Sequence, residues 1–249
     1  LRIDYAEISL LGGRNDNQDR VAVAISEHSA LLVVIDGMGG HSDGARAAET
    51  ALKVLVEKFW HTPQPLLDPL GFLHLTLGRA HDEVVKLGAD LPIEHRPRAT
   101  CAVCLVQDGS AYWGHVGDSR VYLVRDGVVA QRTRDHSHVE FLIREGVITP
   151  EQAHGHPMRN FVECCVGGEA YLPEMTVSGR IALRPNDVLL VCSDGLWGGL
   201  TDRDIATAFA PGGEPLRAEI LRLAEQSIGQ LGGSADNTTA AVARWIGNA

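Results

Sequence analysis

Apolar and polar positions change their period several times along this chain, and each change marks an element. Residues 20–26 (RVAVAIS) and 30–36 (ALLVVID) are strand-length apolar runs joined by a short polar turn, a pattern that predicts an antiparallel hairpin. Over 43–60 the period lengthens, with Ala47, Ala51, Leu55 and Phe59 on one stripe, which predicts a helix. A second helix is expected within 68–89 from Leu70, Leu73, Leu77, His81 and Val84, despite Gly71 and Gly78. The stretch 100–133 then reads as short strands with tight turns at Asp108 and Gly109 and at Asp126 and Gly127, an antiparallel meander. Residues 137–185 are mixed and dotted with Gly, Pro and His, whereas 187–195 (DVLLVCSDG) is again a buried strand. Helices are expected at 201–209 and 215–231, the latter with Leu216, Ile220, Leu223 and Ala224 as its core stripe, and a strand over 238–246 (TTAAVARWI) follows. Strand runs grouped with helix pairs, rather than strict alternation, imply an α+β fold of antiparallel sheets covered by helices.

Composition narrows the class. With 249 residues, 45% apolar and 22% charged, the chain can bury a full core, and one domain over 1–249 is expected. A net charge of −10 argues against a nucleic acid or an anionic membrane as partner, since both reward a basic face. No run approaches the roughly 20 apolar residues of a membrane span, and the opening LRIDYAEISL lacks the zones of a secretory signal. The leading Leu suggests a missing initiator Met. Five cysteines, an odd number set in apolar runs, point to reduced thiols and a cytoplasmic location. Cys101 and Cys104 form one CxxC, but on a strand that spacing sends them to opposite faces, which disfavours zinc or redox use.

The acids carry the chemistry. Asp108 and Asp126 need no role beyond their turns. Asp36 and Asp194 differ, because each ends an apolar run of the kind found in central strands, where an unpaired carboxylate costs several kcal/mol. Asp19, Asp118 and Asp236 also stand where strands begin or end, with few lysines nearby, so the neutralising charge is expected from outside the protein. Hard divalent cations, Mg²⁺ or Mn²⁺, suit carboxylate and carbonyl oxygens, and Gly37 would let its own carbonyl approach one. Paired ions of this kind serve phosphate-ester hydrolysis, and Arg14, just before Asp19, is a candidate to hold the phosphate in a bidentate fork.

In order, GGRNDNQD (12–19), VVIDGMGGHSDGARAAE (33–49), RATCAV (98–103), GHVGDSRVYLVRDG (114–127), TRDHSHVEFLIREGVIT (133–149), HPMRN (156–160), NDVLLVCSDGL (186–196) and SADNTTAAVAR (234–244) resemble the motifs of the PPM family, the metal-dependent serine/threonine protein phosphatases of type 2C, and most of all its compact bacterial members. The resemblance implies a four-layer α/β/β/α sandwich with the metal cluster at one edge of the sheet interface. It implies that Asp36 bridges two Mn²⁺ or Mg²⁺ ions, that the Gly37 carbonyl binds the second, and that Asp194 and Asp236 complete the first. Asp19 lies in the motif serving the second ion, and Asp118 with Asp194 matches a third, weaker one. Arg14 matches the phosphate-binding arginine, and Asn237 is expected to support Asp236.

The implied function is hydrolysis of phosphoserine and phosphothreonine in proteins by a water activated between two metals, opposing a bacterial Ser/Thr kinase, in some members alongside type VI secretion, and as a monomer. Two other readings share the fold: a silent phosphoprotein-binding module, or a phosphatase of a small phosphorylated metabolite. Some positions depart from the family pattern. Gln18 replaces a common Glu, Met38 stands where animal members have a histidine proposed as the leaving-group acid, and His41, three residues later, is the remaining local candidate. After HPMRN, Glu163 and Cys164 occupy the place of a threonine-arginine pair near the flap, so the surface over 138–180 is where substrate choice is most exposed to change. Cys164 and Cys165 are expected to be packed thiols, and His115 a packed strand residue beside Trp113.

Overall fold

The structure, a computed structural model, describes residues 1–38, 42–153, 155–210 and 212–247. The chain opens with β1 (Arg2–Leu10), then the hairpin β2 (Arg20–Ile25) and β3 (Ser29–Ile35), a short β4 (Gly37–Met38) and two long helices, α1 (Ser42–His61) and α2 (Pro69–Leu87). Next come β5 (Arg98–Ala99), β6 (Cys101–Gln107), β7 (Ser110–Val116), β8 (Arg120–Arg125) and β9 (Val128–Arg132). The mixed stretch holds α3 (His138–Arg144), α4 (Pro150–Ala153) and the two-residue strands β10 (Val166–Gly167), β11 (Thr176–Val177) and β12 (Ile181–Ala182). The last part is β13 (Val188–Cys192), α5 (Asp194–Trp197), α6 (Asp202–Ala208), α7 (Leu216–Leu231) and β14 (Thr238–Gly247).

Two antiparallel sheets face each other. One runs β1-β14-β13-β8-β9, the other β11-β7-β6-β3-β2 with β12 also on β7, and a small sheet β10-β5-β4 lies beside them. The uninterrupted apolar runs are explained by burial on both faces. In β3, Ala30, Leu32 and Val34 fill the space between the sheets, while Leu31, Val33 and Ile35 pack outward with Leu55 and Phe59 of α1 and Leu73, Leu77 and Val84 of α2. In β13, Leu189 and Val191 face the other sheet, while Val188 and Leu190 face Leu216, Ile220, Leu223 and Ala224 of α7. The result is the expected sequence of layers: helices, sheet, sheet, helices. The same alternation sends Cys101 to the helix side and Cys104 to the interior, and all five cysteines are free thiols. Among the described residues no helix is long and apolar enough to cross a membrane.

Two expectations change. The stretch 100–133 is not one meander: β6 and β7 belong to one sheet, β8 and β9 to the other, and the chain crosses between them at 117–119. Hydrophobic period identifies strands but not the sheet each joins, because both sheets are buried. The opening residues, read for targeting alone, form β1, whose residues Ile3 to Leu10 pair in register with β14. Only Ala6 and Ile8 of it are fully buried, with Ile3 and Leu10 partly so, too weak a pattern to stand out in sequence. The two Asp-Gly turns behave as expected, with Asp108 and Gly109 at φ 50° and 66° and Asp126 and Gly127 at 52° and 74°. Both residues of each turn are left-handed, as a two-residue hairpin loop requires.

Candidate metal centre

Five acids stand at strand ends on one end of the sandwich. Asp19 precedes β2, Asp36 follows β3, Asp118 lies in the crossover from β7 to β8, Asp194 opens α5 after β13, and Asp236 precedes β14. Four of them, Asp36, Asp118, Asp194 and Asp236, line a single cavity of about 590 Å³ together with Arg14, Gln18 and Gly37. Met38, Asn160 and Val162 complete its walls, the last two from the segment before β10. Long apolar strands make the site rigid: each of the five acids lies within two residues of a strand held by ladder hydrogen bonds.

Asp19 is buried beside the other four, and its charge acts on Asp36. Its side chain is 3% exposed and is not among the residues lining the cavity. It turns instead toward Ser193, whose hydroxyl donates to its Oδ2 at 2.8 Å. Asp19 therefore ties the start of β2 to the end of β13 from behind the cavity. Asn237 supports Asp236 through its backbone, whose N–H donates to Asp236 Oδ1 at 2.8 Å. The Asn237 amide clamps the opposite loop, donating to the carbonyls of Leu11 (2.9 Å) and Asp16 (3.0 Å) and accepting from the Gln18 N–H (2.8 Å). Arg14 pairs with Asp236 at 2.6 Å, so one neutralising charge does come from the protein.

Gly37 also acquires a different reason. A Cβ there would collide with the carbonyl oxygen of Gly44 in the first turn of α1 and crowd that of Gln18. Close docking of α1 thus requires glycine at 37, whatever else its carbonyl does. His41 lies outside the described residues, as does His154.

The electrostatics are those of acids crowded away from water. Burial, followed by the charges of Asp19, Asp194, Asp118 and Asp236, raises Asp36 well above the usual carboxylate range, although its surface still reaches the cavity. Burial raises Asp118 likewise, with Asp194 and Asp135 adding to it and Arg120 opposing. Burial and Asp236 push Asp194 up to about 6, against the Gly195 N–H, Asp36 and Arg14. Asp19 is pushed up to about 7, by burial first and by Asp194 and Asp236, against hydrogen bonds from Ser193 and Thr239. Desolvation and like charge act together, and either would be relieved by a cation.

The donor set fits a hard divalent ion: carboxylate oxygens, a glycine carbonyl at 37 and open space for water. Asp194 Oδ1 is buried without a hydrogen-bond partner, an acceptor left for a ligand. Among the described residues no three His, Cys, Asp or Glu side chains close around one point, since the acids ring the cavity and Arg14 holds Asp236. An ion there would accordingly draw part of its shell from carbonyl and water oxygens.

Several supporting residues escaped sequence reading. Asp118 is held through its backbone, whose carbonyl accepts from the Trp197 indole N–H at 3.0 Å. Arg120 stacks over that indole at 3.5 Å and forms a bidentate pair with Asp135 at 2.8 and 2.7 Å. Thr100 fastens Asp36, its N–H donating to the Asp36 carbonyl at 2.8 Å, and its hydroxyl meets that of Ser119 at 2.6 Å. The one signal in sequence was Arg120 itself, a charge opening an otherwise apolar strand. His115 is packed as expected: it is fully buried, stacks on His136 at 4.4 Å and is depressed to about 4, by burial first and then by His136.

The profile of the protein phosphatase 2C family matches residues 13–230. The chain is 33% identical over 232 residues to the serine/threonine protein phosphatase PstP of Mycobacterium tuberculosis (strain H37Rv), covering 92% of this chain and 42% of that protein, so this chain spans less than half the relative's length. Among solved structures it is similar to the catalytic domain of PstP in complex with two manganese ions, at TM-score 0.82 and 30% identity over 98% of this chain and 99% of the other. It is also similar to PppA of Pseudomonas aeruginosa, described as a key regulatory component of the type VI secretion system, at TM-score 0.79 and 27% identity over 97% of both chains.

Proposed function

The chain belongs to the protein phosphatase 2C family, and on that premise we propose that it is a divalent-metal-dependent phosphatase of phosphoserine and phosphothreonine in proteins. The observation that carries the reading is the convergence of Asp36, Asp118, Asp194 and Asp236 with Arg14 on one open cavity. Asp36, Asp194, Asp236 and the Gly37 carbonyl would hold two ions, Mn²⁺ or Mg²⁺, and Asp118 with Asp194 a third. When bound, such ions activate a water molecule and neutralise the phosphoryl oxygens during in-line displacement.

The chain's own residues do the positioning. Arg14 sits at the mouth with 57% of its side chain exposed, where its guanidinium can leave Asp236 for a phosphoryl group of higher charge. Asn237 holds the 11–18 loop that carries Arg14, and Asp19 with Ser193 holds β2 against β13. Burial holds His115 and His136 below the ordinary imidazole range, and both are bonded elsewhere, to the Arg134 carbonyl and to Gly117 and Thr176, so neither is free to serve as the leaving-group acid. The substrates are phosphoproteins of a pathway driven by a Ser/Thr kinase in a bacterial cytoplasm. The likeness to PppA makes type VI secretion one setting for it.

The test is hydrolysis of p-nitrophenyl phosphate and of a phosphothreonine peptide, with Mn²⁺ and with EDTA, in the native protein and in Asp36→Ala. Turnover is expected with Mn²⁺ and lost in the other two conditions. Metal-independent turnover, or full turnover in the variant, overturns the mechanism; hydrolysis of small phosphorylated metabolites but not of the peptide overturns the substrate class. Phosphopeptide binding without any turnover would identify a silent binding module instead.

A further inference from the structure

A second cavity, of about 370 Å³, adjoins the catalytic one and shares Asp118 as a wall. One side is built by Val139 and Ile143 of α3 with Pro150 and Ala153 of α4; the other by Trp197 of α5 and Leu200. Arg159 spans the two sides, its Nη2 donating to the Gly198 carbonyl at 2.9 Å. The charges around the groove are mostly used up within its walls: Arg120 is paired with Asp135, and Arg132 with Asp202 at 3.3 Å. Glu140 and Asp118 remain as acids without an ion pair, facing whatever enters.

We propose that this groove receives an uncharged apolar side chain of the substrate protein, close in sequence to the phosphorylated residue. The proposal rests on the phosphatase reading above and adds a substrate preference to it. Three observations select this occupant. The groove shares Asp118 with the cavity in which the phosphate would lie, so a residue beside the phosphorylated one is within reach of it. Val139, Ile143, Pro150 and Ala153 on one side and Trp197 and Leu200 on the other offer apolar surface, so burial of a Leu or Met side chain between them is favourable. Two of the groove's three arginines are already paired with acids, and Glu140 would repel an acidic neighbour.

The substrate preference should therefore be Leu or Met over Ala, and Ala over Glu, at one position beside the phosphothreonine. The test is a set of phosphothreonine peptides carrying Leu, Ala or Glu in turn at each of three positions on either side, assayed with Mn²⁺. At one position at least, Leu should raise kcat/KM about tenfold over Ala, the size of discrimination one apolar pocket provides. Ile143→Asp should abolish that preference while leaving p-nitrophenyl phosphate hydrolysis unchanged, since so small a substrate occupies only the catalytic cavity. Ala153→Trp, which fills the groove rather than charging it, should do the same and guards against misfolding of the first variant, with thermal melting run on both. Equal kcat/KM for all peptides, or a Leu preference that survives in both folded variants, overturns the subsite while leaving the phosphatase reading intact. No turnover of either substrate by the native protein removes both.

Discussion

The same dipeptide, Asp-Gly, occurs at both ends of the sandwich and does opposite work. At one end, Asp108 with Gly109 and Asp126 with Gly127 close hairpins in left-handed backbone. A Cβ on Gly127 would meet nothing within 4 Å. At the other end, Asp36 with Gly37 and Asp194 with Gly195 carry the acid cluster, and a Cβ on either glycine would strike a backbone carbonyl, Gly44 for one and Asn237 for the other. One pair of glycines is needed for conformation and the other for close approach. What separates them is not the dipeptide but what packs against it, and the packing comes from distant parts of the chain.

The largest expected contrast is in activity. Asp194→Asn should lower turnover of p-nitrophenyl phosphate with Mn²⁺ by about a thousandfold or more, roughly 4 kcal/mol of barrier, whereas Asp126→Asn should leave it within about twofold. If the two variants behave alike, the division between the ends fails. Next in size is stability, read by urea unfolding. Gly195→Ala forces a methyl into the Asn237 backbone and should cost about 3 kcal/mol. Gly127→Ala has room and pays only for its left-handed backbone, about 1 to 2 kcal/mol.

A third contrast lies in pH. A carboxyl raised in the folded state stabilises the protein fully below its unfolded pKa, and that stability is lost as pH rises through the folded value, here about 6 for Asp194 and about 7 for Asp19. His115 has the opposite sign: depressed to about 4, its contribution is present above the ordinary imidazole value of 6.5 and is lost as pH falls toward 4. Above a pH of about 6.5, only the acids act. With EDTA, the thermal midpoint should therefore fall as pH rises from about 6.5 to about 8, and Mn²⁺ should flatten the slope by supplying the missing cation. A midpoint independent of pH and of Mn²⁺ would mean that the acids are not crowded as described. The smallest effect is expected at Arg14, whose exposed pair with Asp236 is worth at most about 1 kcal/mol. Arg14→Ala should barely move the melting curve yet raise KM for the phosphopeptide.

Much of the site was legible because its acids end long apolar runs, a pattern a soluble strand tolerates only where something neutralises the charge. Asp36 and Asp194 stood out for that reason, and both line the cavity. Asp19 follows the same rule in sequence but faces Ser193 across the sheet interface, a direction set by where β13 lies and not by any local pattern. Asn237, which the resemblance places in support of Asp236, does bond it through the backbone, but its amide reaches the loop from Leu11 to Gln18, far off in the chain. The second groove was invisible in sequence because its two walls, α3 with α4 and α5 with Leu200, come from segments separated by three short strands and β13.

The order of residues alone settled the long strands and helices other than β1, where the two tight hairpins fall, and which acids stand at strand ends, since period and turn chemistry are properties of neighbours along the chain. Only the folded chain decided that β7 and β8 part company into different sheets, that this places Asp118 beside Asp36 and Asp194, and that Ser193 bonds Asp19. Contacts between distant segments depend on how buried surfaces pair, and several pairings satisfy the same hydrophobic pattern until the whole core is assembled.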